Sequence, residues 1–348
     1  TWVSGLPMNF ASDNVAGTSP ALLQALADIN DRPLPSYGGD PYTDEVEALC
    51  REIFEHDSLR TLLVATGTGA NALALSALTP PWGAIYCHSV SHIAVDEANA
   101  VEAASGGSRL LTIEGEHAKI DPDQLRATIY GKGIVHHPQP STLSITQMNE
   151  RGATYSLTEL EALTAIAAEH GLRVHMDGAR FSNAIAGLNC SPADMTWRLG
   201  VDVLVFGATK NGALAGEIVV CFDPALADEL EFRRKRAGQL FSKMRTLSAP
   251  LAAYLRDELW LDNARHANAM AARLAEGLAG VKGAQLLRQP DGNQMFLTMD
   301  PGLAGRLRAA GAEFDDWPEV GPDVVRLVTA FNTRAEDVET FLSLATAG

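Results

Sequence analysis

A mostly parallel β-sheet covered by helices, followed by a smaller α/β unit, is the architecture this sequence predicts. Two observations predict it. From residue 60 to residue 225 short apolar runs alternate with stretches of helical periodicity, the pattern of strands and helices layered on one another. After a long Ala-, Leu- and Arg-rich helical stretch at 248–278 the chain returns to short strand patterns and a final helix.

The strand-like runs fall at 61–65, 84–87, 109–113, 134–137, 143–146, 173–177, 201–206 and 217–222. Residues 157–170 carry apolar side chains at helical spacing and stop before Gly171, a residue suited to the turn that ends a helix. The 248–278 stretch links the sheet to the C-terminal part, where strands are expected at 295–299 and 324–328 and a last helix at 334–346. The division expected is therefore 1–247, an N-terminal segment with the large sheet unit, and 248–348, the linking helix with the small α/β unit.

Composition narrows the function. The 348 residues are 46% hydrophobic and 20% charged, ordinary for a globular chain with a large core. A net charge of −16 argues against binding nucleic-acid backbones but leaves room for a local cationic pocket. The run Arg233–Arg236 is read as a solvated helix face or a subunit contact. No run of 18 apolar residues predicts a membrane span. The first residues lack the charged-then-apolar order of a signal segment, and because the chain opens on Thr1 an earlier start is left open. Cys50, Cys87, Cys190 and Cys221 are scattered without a CxxC pair, so neither a disulfide framework nor a zinc site is expected, and a reduced, cytoplasmic protein is.

In open parallel sheets ligands bind beyond the carboxyl ends of the strands. Three such places carry chemistry. Thr66-Gly67-Thr68-Gly69-Ala70-Asn71 follows one strand and opens a helix; its glycines let backbone approach an anion, and free N–H groups with threonine hydroxyls can hold a phosphate. Asp177-Gly178-Ala179-Arg180 puts a carboxylate at a strand end, where a cationic partner such as a pyridinium N–H would offset its desolvation. Gly207-Ala208-Thr209-Lys210-Asn211-Gly212 puts a lysine among small residues, where burial and neighbouring cations would prepare it for Schiff-base chemistry. Singly, each has a plainer reading: a tight strand–helix turn, an Asp that caps a helix or pairs with Arg180, a solvated loop lysine. Together they are the aldehyde partner, ring-nitrogen acid and phosphate cradle that pyridoxal phosphate requires.

These stretches, with Asn9-Phe10-Ala11-Ser12-Asp13-Asn14, Ser36-Tyr37-Gly38-Gly39-Asp40 and His175-Met176-Asp177-Gly178-Ala179-Arg180, resemble the threonine aldolases over nearly the whole chain, most nearly the bacterial phenylserine and low-specificity L-threonine aldolase branch. Pro80-Pro81-Trp82-Gly83, Arg233–Arg236 with Ala237-Gly238, and Val328-Thr329 extend the likeness. The resemblance implies the fold-type I architecture of pyridoxal-phosphate-dependent transferases and a homo-oligomer, dimer or tetramer, with sites shared between subunits. It implies retro-aldol cleavage of a β-hydroxy-α-amino acid (L-threonine, L-allo-threonine or L-phenylserine) to glycine and an aldehyde. β-Elimination or transamination on the same fold is the alternative, because the cofactor residues alone do not choose the bond broken.

By the same resemblance Lys210 links to the cofactor, Asp177 pairs with its ring nitrogen, Gly67 and Thr68 hold its phosphate, and His92 stacks on its ring. Arg245 assists the phosphate from a neighbouring subunit. Ser12, Arg180 and Arg326 surround the substrate carboxylate, and Tyr37 and Gln147 border the pocket. One stretch departs: many members carry Glu-Asn-Thr-His-Asn where this chain has Ile145-Thr146-Gln147-Met148-Asn149, so a helper histidine near the β-hydroxyl is absent. The general base is open; His92 has a suitable intrinsic pKa but, stacked on the ring, would act through a water. His88 and His92 have helical metal-ligand spacing without a completing carboxylate, His136-His137 is read as a strand end, and no GxSxG signature is present, so no metal or serine nucleophile is expected.

Overall fold

The computed structural model describes residues 8–347. Its strands are β1 (Met8–Asn9), β2 (Arg60–Val64), β3 (Gly83–His88), β4 (Arg109–Ile113), β5 (Gln139–Thr146), β6 (Arg173–Gly178), β7 (Val203–Gly207), β8 (Glu217–Cys221), β9 (Ala284–Leu286), β10 (Gln294–Met299), β11 (Ala312–Glu313), β12 (Asp315–Asp316) and β13 (Val324–Val328). Seven form the large sheet in the order β2-β8-β7-β6-β5-β3-β4. Only β8 runs against its neighbours; the others share one direction. Val203, Leu204, Val205 and Phe206 are all buried, as expected for a strand covered on both faces.

The common direction places the site. The carboxyl ends of six strands lie along one edge, and the reversed β8 brings its amino end, Glu217, to the same edge. Helices supply the cover. The predicted helix forms over Leu157–His170, closed at its start by a reciprocal Ser156–Glu159 capping box and at its end by Gly171 at φ +69°.

Two expected elements differ. Residues 134–137 are not a strand, and His136-His137 is not a strand end. Gly131 and Gly133 take φ +80° and +79°, the N–H of Ile134 returns to Gly131 and that of His137 to Ile134, and Val135 is 91% exposed. The Gln139 amide donates to the carbonyls of Gly131, Ile134 and His137, so this turn satisfies its polar groups without a ladder. The 248–278 helix is broken: Arg245–Leu255 and Leu259–Leu278 meet at a tight turn, Arg256–Glu258, where Asp257 and Glu258 take φ +51° and +56°. The break returns Trp260 to the large core and aims the second helix at another one.

That second core joins Leu274, Leu278, Leu297, Leu327 and Phe341 beneath the antiparallel sheet β12-β13-β10-β9. Met8 and Phe10 belong to it as well, because β1 pairs in parallel with β11. The chain then crosses to the crevice, so residues 11–14 bridge the two cores. Among the described residues no helix is long and apolar enough to cross a membrane.

Candidate active site

A cavity of about 270 Å³ opens at the shared strand edge. Its wall includes Thr66, Gly67, Thr68, His92, Glu150, Asp177, Arg180, Lys210 and Glu217.

The helix Gly67–Leu78 points its start into this space. Thr66 caps it, its hydroxyl accepting the Gly69 N–H at 3.1 Å, which leaves the Gly67 and Thr68 N–H groups outside the helical ladder. A Cβ at Gly67 would meet no protein atom within 4 Å, whereas one at Gly69 would lie 2.9 Å from the Gln239 amide nitrogen. One glycine thus keeps the cradle open and the other lets Gln239 brace it; the Gln239 carbonyl accepts the Ala65 N–H at 3.2 Å.

Asp177 ends β6 and is buried. Its Oδ1 accepts the Ala179 N–H at 3.0 Å and its Oδ2 the Asn71 amide at 2.9 Å. Asn71 donates equally to Glu97 Oε1 at 2.8 Å, and that oxygen lies 2.8 Å from His92 Nδ1. The hydrogen bond to Glu97 raises the His92 pKa against the opposing effect of burial. His88 turns elsewhere, its Nδ1 accepting the Val90 N–H at 3.2 Å, so the two histidines do not converge.

Arg180 does not pair with Asp177. It makes a two-pronged bond to Asp13, Nε to Oδ2 at 2.7 Å and Nη2 to Oδ1 at 2.9 Å. Asn293, between β9 and β10, adds a third donor to Asp13. Burial raises the Asp13 pKa, but Arg180 and Lys210 outweigh it and hold the carboxyl below its usual range. Lys210, after β7, is pushed down by the Arg180 charge first and by burial second. Gly207 makes this packing possible: a Cβ there would stand 2.7 Å from Ala179 Cα. Glu217 is pushed up to about 7 by burial, although Thr209 and the Ala208 N–H both donate to it.

The beta-eliminating lyase family matches residues 9–301. The low specificity L-threonine aldolase of Pseudomonas aeruginosa is 40% identical over 329 residues, 94% of each chain. The chain belongs to the threonine aldolases of the beta-eliminating lyase family. It is accordingly a lyase. The corresponding protein of Pseudomonas sp. is also 40% identical, over 93% of each chain. Among solved structures, the threonine aldolase of Leishmania major superposes with a TM-score of 0.91 at 26% identity, covering 97% of this chain and 98% of that one. Serine palmitoyltransferase of Sphingomonas wittichii, at 16% identity and a TM-score of 0.72 over 97% and 86% of the two chains, shares the fold.

In this threonine aldolase chain the expected site residues divide. Gly67, Thr68, His92, Asp177, Arg180 and Lys210 meet in the cavity wall. Ser12 is spent capping Asn14, and Arg326 bonds the Ala11 carbonyl and Asp315, each at 2.9 Å, behind the wall. Arg326 is still near enough to Arg180 for that charge, after burial, to depress its pKa. Gln147 does not border the pocket: it is fully buried, its amide donating to the Tyr155 carbonyl and accepting the Tyr155 N–H. Tyr37 and Arg245 stand outside this chain's cavity, Tyr37 beneath Lys235 Nζ at 4.7 Å and Arg245 against the Leu34 carbonyl at 3.4 Å.

Sequence reasoning did not single out Asp13, Asn71, Glu97, Glu150 or Glu217. Asp13 and Asn71 sit inside stretches that carried the resemblance. Glu217 had a signal, a charge heading the apolar run Ile218–Cys221. Glu97 and Glu150 had none, because only the fold brings them together.

Proposed function

We propose that this enzyme cleaves a β-hydroxy-α-amino acid, of the class of L-threonine, L-allo-threonine and L-phenylserine, into glycine and an aldehyde, with pyridoxal phosphate held in the crevice. The observation that carries the reading is one cavity wall combining Lys210, Asp177 and the open helix start at Gly67 and Thr68. The donor set fits the cofactor: an anion cradle left open by the missing Cβ of Gly67, a buried carboxylate at Asp177, and a half-buried amine at Lys210 whose pKa is lowered first by the Arg180 charge.

When bound, pyridoxal phosphate offers an aldehyde to the substrate amine and a protonated ring that draws electrons from Cα. The chain's own residues do the rest. Lys210, with its pKa lowered, is neutral more often than a surface lysine and so serves as an amine nucleophile. Asp177, fixed by Ala179 and Asn71, holds a proton on the ring nitrogen. The Gly67 and Thr68 N–H groups bind the phosphate at the helix start. Arg180, clamped by Asp13 through Nε and Nη2, keeps Nη1 for a substrate carboxylate, and a directional contact of that kind sets which Cα bond stands across the ring. His92, oriented by Glu97 and with its pKa raised by that contact, would pack against the ring.

Assembly belongs to this reading. Tyr37 and Arg245 lie on one side of the chain outside its own cavity, where a second copy would receive them, as expected of a homo-oligomer with shared sites. The four cysteines are free thiols, in keeping with a cytoplasmic setting.

The test is aldehyde release from the cofactor-loaded enzyme, with L-threonine, L-allo-threonine and L-threo-phenylserine compared with their D-forms. Acetaldehyde or benzaldehyde with matching glycine is expected from the L-forms. Pyruvate and ammonia without glycine would overturn the reading in favour of elimination.

A further inference from the structure

The cavity wall also carries the half-buried carboxylate of Glu150. Glu150 lies just beyond β5; its Oε1 accepts the His92 N–H at 2.7 Å, while its Oε2 is buried without a hydrogen-bond partner. An unpaired carboxylate oxygen at a ligand cavity costs free energy unless a ligand brings the missing donor. A hydroxyl is such a donor.

The other carboxylates in the wall or just behind it are already engaged. Glu217 accepts from Thr209 at 2.6 Å and Ala208 at 2.9 Å. Asp177 is held by Ala179 and Asn71, and Asp13 by Arg180 and Asn293. Glu97 keeps one oxygen unpaired but serves as counter-charge to His92. His92 is tied through Nδ1 to Glu97, a contact that raises its pKa and disfavours the neutral ring a base needs. Glu150 is pushed up to about 7 by burial, reinforced by the negative charge of Asp177 and only partly offset by the His92 and Glu150 N–H groups and the nearby Thr146 hydroxyl, which suits proton exchange near neutral pH.

We propose that Glu150 is the catalytic base that takes the proton of the substrate β-hydroxyl; the inference rests on the aldol-cleavage reading. In the step, the O–H bond breaks and its proton passes to Oε2. The O–H electron pair becomes the second bond of the aldehyde carbonyl. The Cα–Cβ bond breaks and its pair stays on Cα, where a proton completes glycine. The proton lost from oxygen balances the one gained at carbon, so no oxidant or reductant enters.

The charges and titratable groups that face Glu150 are Asp177 from β6, His92 and Glu97 from the segment after β3, Cys87 in β3, and Arg151 and Tyr155 beyond β5. The experiment compares cofactor-loaded wild type with Glu150→Gln in three readouts. Cofactor absorbance is expected to match. With saturating β-hydroxy amino acid, kcat falls about 10²- to 10⁴-fold with little change in KM. Wild-type kcat/KM declines as pH drops below about 7, and the variant loses that limb.

The third readout is thermal stability. The Glu150 pKa rises from 4.5 to about 7 on folding, so wild type is stabilised relative to the variant at low pH and loses that advantage as pH rises through this window. The Tm gap should therefore shift in favour of Glu150→Gln between those values and then level off. An unchanged kcat, a retained acid limb or a flat Tm gap would each overturn the proposal. Should the Gln variant fail to load cofactor, Glu150→Asp decides: reduced kcat with the limb kept supports the base, full kcat without it does not. If wild type itself releases no aldehyde, the aldol reading fails and takes the base role with it; an active wild type with an equally active variant sinks the base role alone.

Discussion

The two sheets of this molecule handle charge in opposite ways. The seven-stranded sheet sends Glu150, Asp177, Arg180, Lys210 and Glu217 from its strand ends into one cavity. The four-stranded sheet buries Met295, Leu297, Val325 and Leu327 and leaves Asp315 and Asp316 in solvent. The difference follows from strand direction. Strands that share a direction gather their carboxyl ends on one edge, whereas antiparallel strands alternate and build no common edge. Chemistry collects where backbone polarity converges, and the small sheet contributes support: Asn293 to Asp13, and through Asp13 the orientation of Arg180.

The contrast can be broken or sharpened by substitution. Lys210→Ala should reduce turnover to background, since the covalent link and proton handling go together; substantial remaining aldol cleavage would contradict the assignment. Asp177→Asn should lower kcat by about 10²- to 10⁴-fold, the size expected when a fixed proton-holding group is lost. Steady-state kinetics at saturating cofactor separates that loss from weaker cofactor binding. Arg326→Ala, on the small sheet but within electrostatic reach of Arg180, should raise KM by roughly 10- to 100-fold, as expected when a charged hydrogen bond worth about 1.5–3 kcal/mol is removed, and lower kcat less. Wild-type constants would remove Arg326 from the carboxylate site. Leu327→Ala should leave kcat unchanged while costing about 2–5 kcal/mol in denaturant unfolding, as cavities in well-packed cores do. A large kcat loss there would show the small sheet to be more than a support.

Much of this was legible in the sequence because it is local. Apolar runs closed by a nearby glycine mark β2, β6 and β7, and the residues at or just beyond their carboxyl ends, Gly67, Asp177 and Lys210, must then share an edge. What was not legible depended on competition or on distance. Ile134 and Val135 have strand-forming side chains, but Gly131, Gly133 and the Gln139 amide offer the backbone a turn that satisfies it locally. The break at Asp257 and Glu258 interrupts an unbroken helical pattern because Trp260 gains burial when the chain turns. Gln147 faces inward because Tyr155 offers it both a donor and an acceptor. The Asn71 bridge between Glu97 and Asp177, 106 positions from Asn71, leaves no trace in local pattern.

The most direct test of the crevice as the cofactor site is to load the protein with pyridoxal phosphate, reduce it with borohydride, and locate the modified peptide by mass spectrometry. A single pyridoxyl group on Lys210 is expected. A group on another lysine, or none on a protein that still cleaves its substrate, would contradict it.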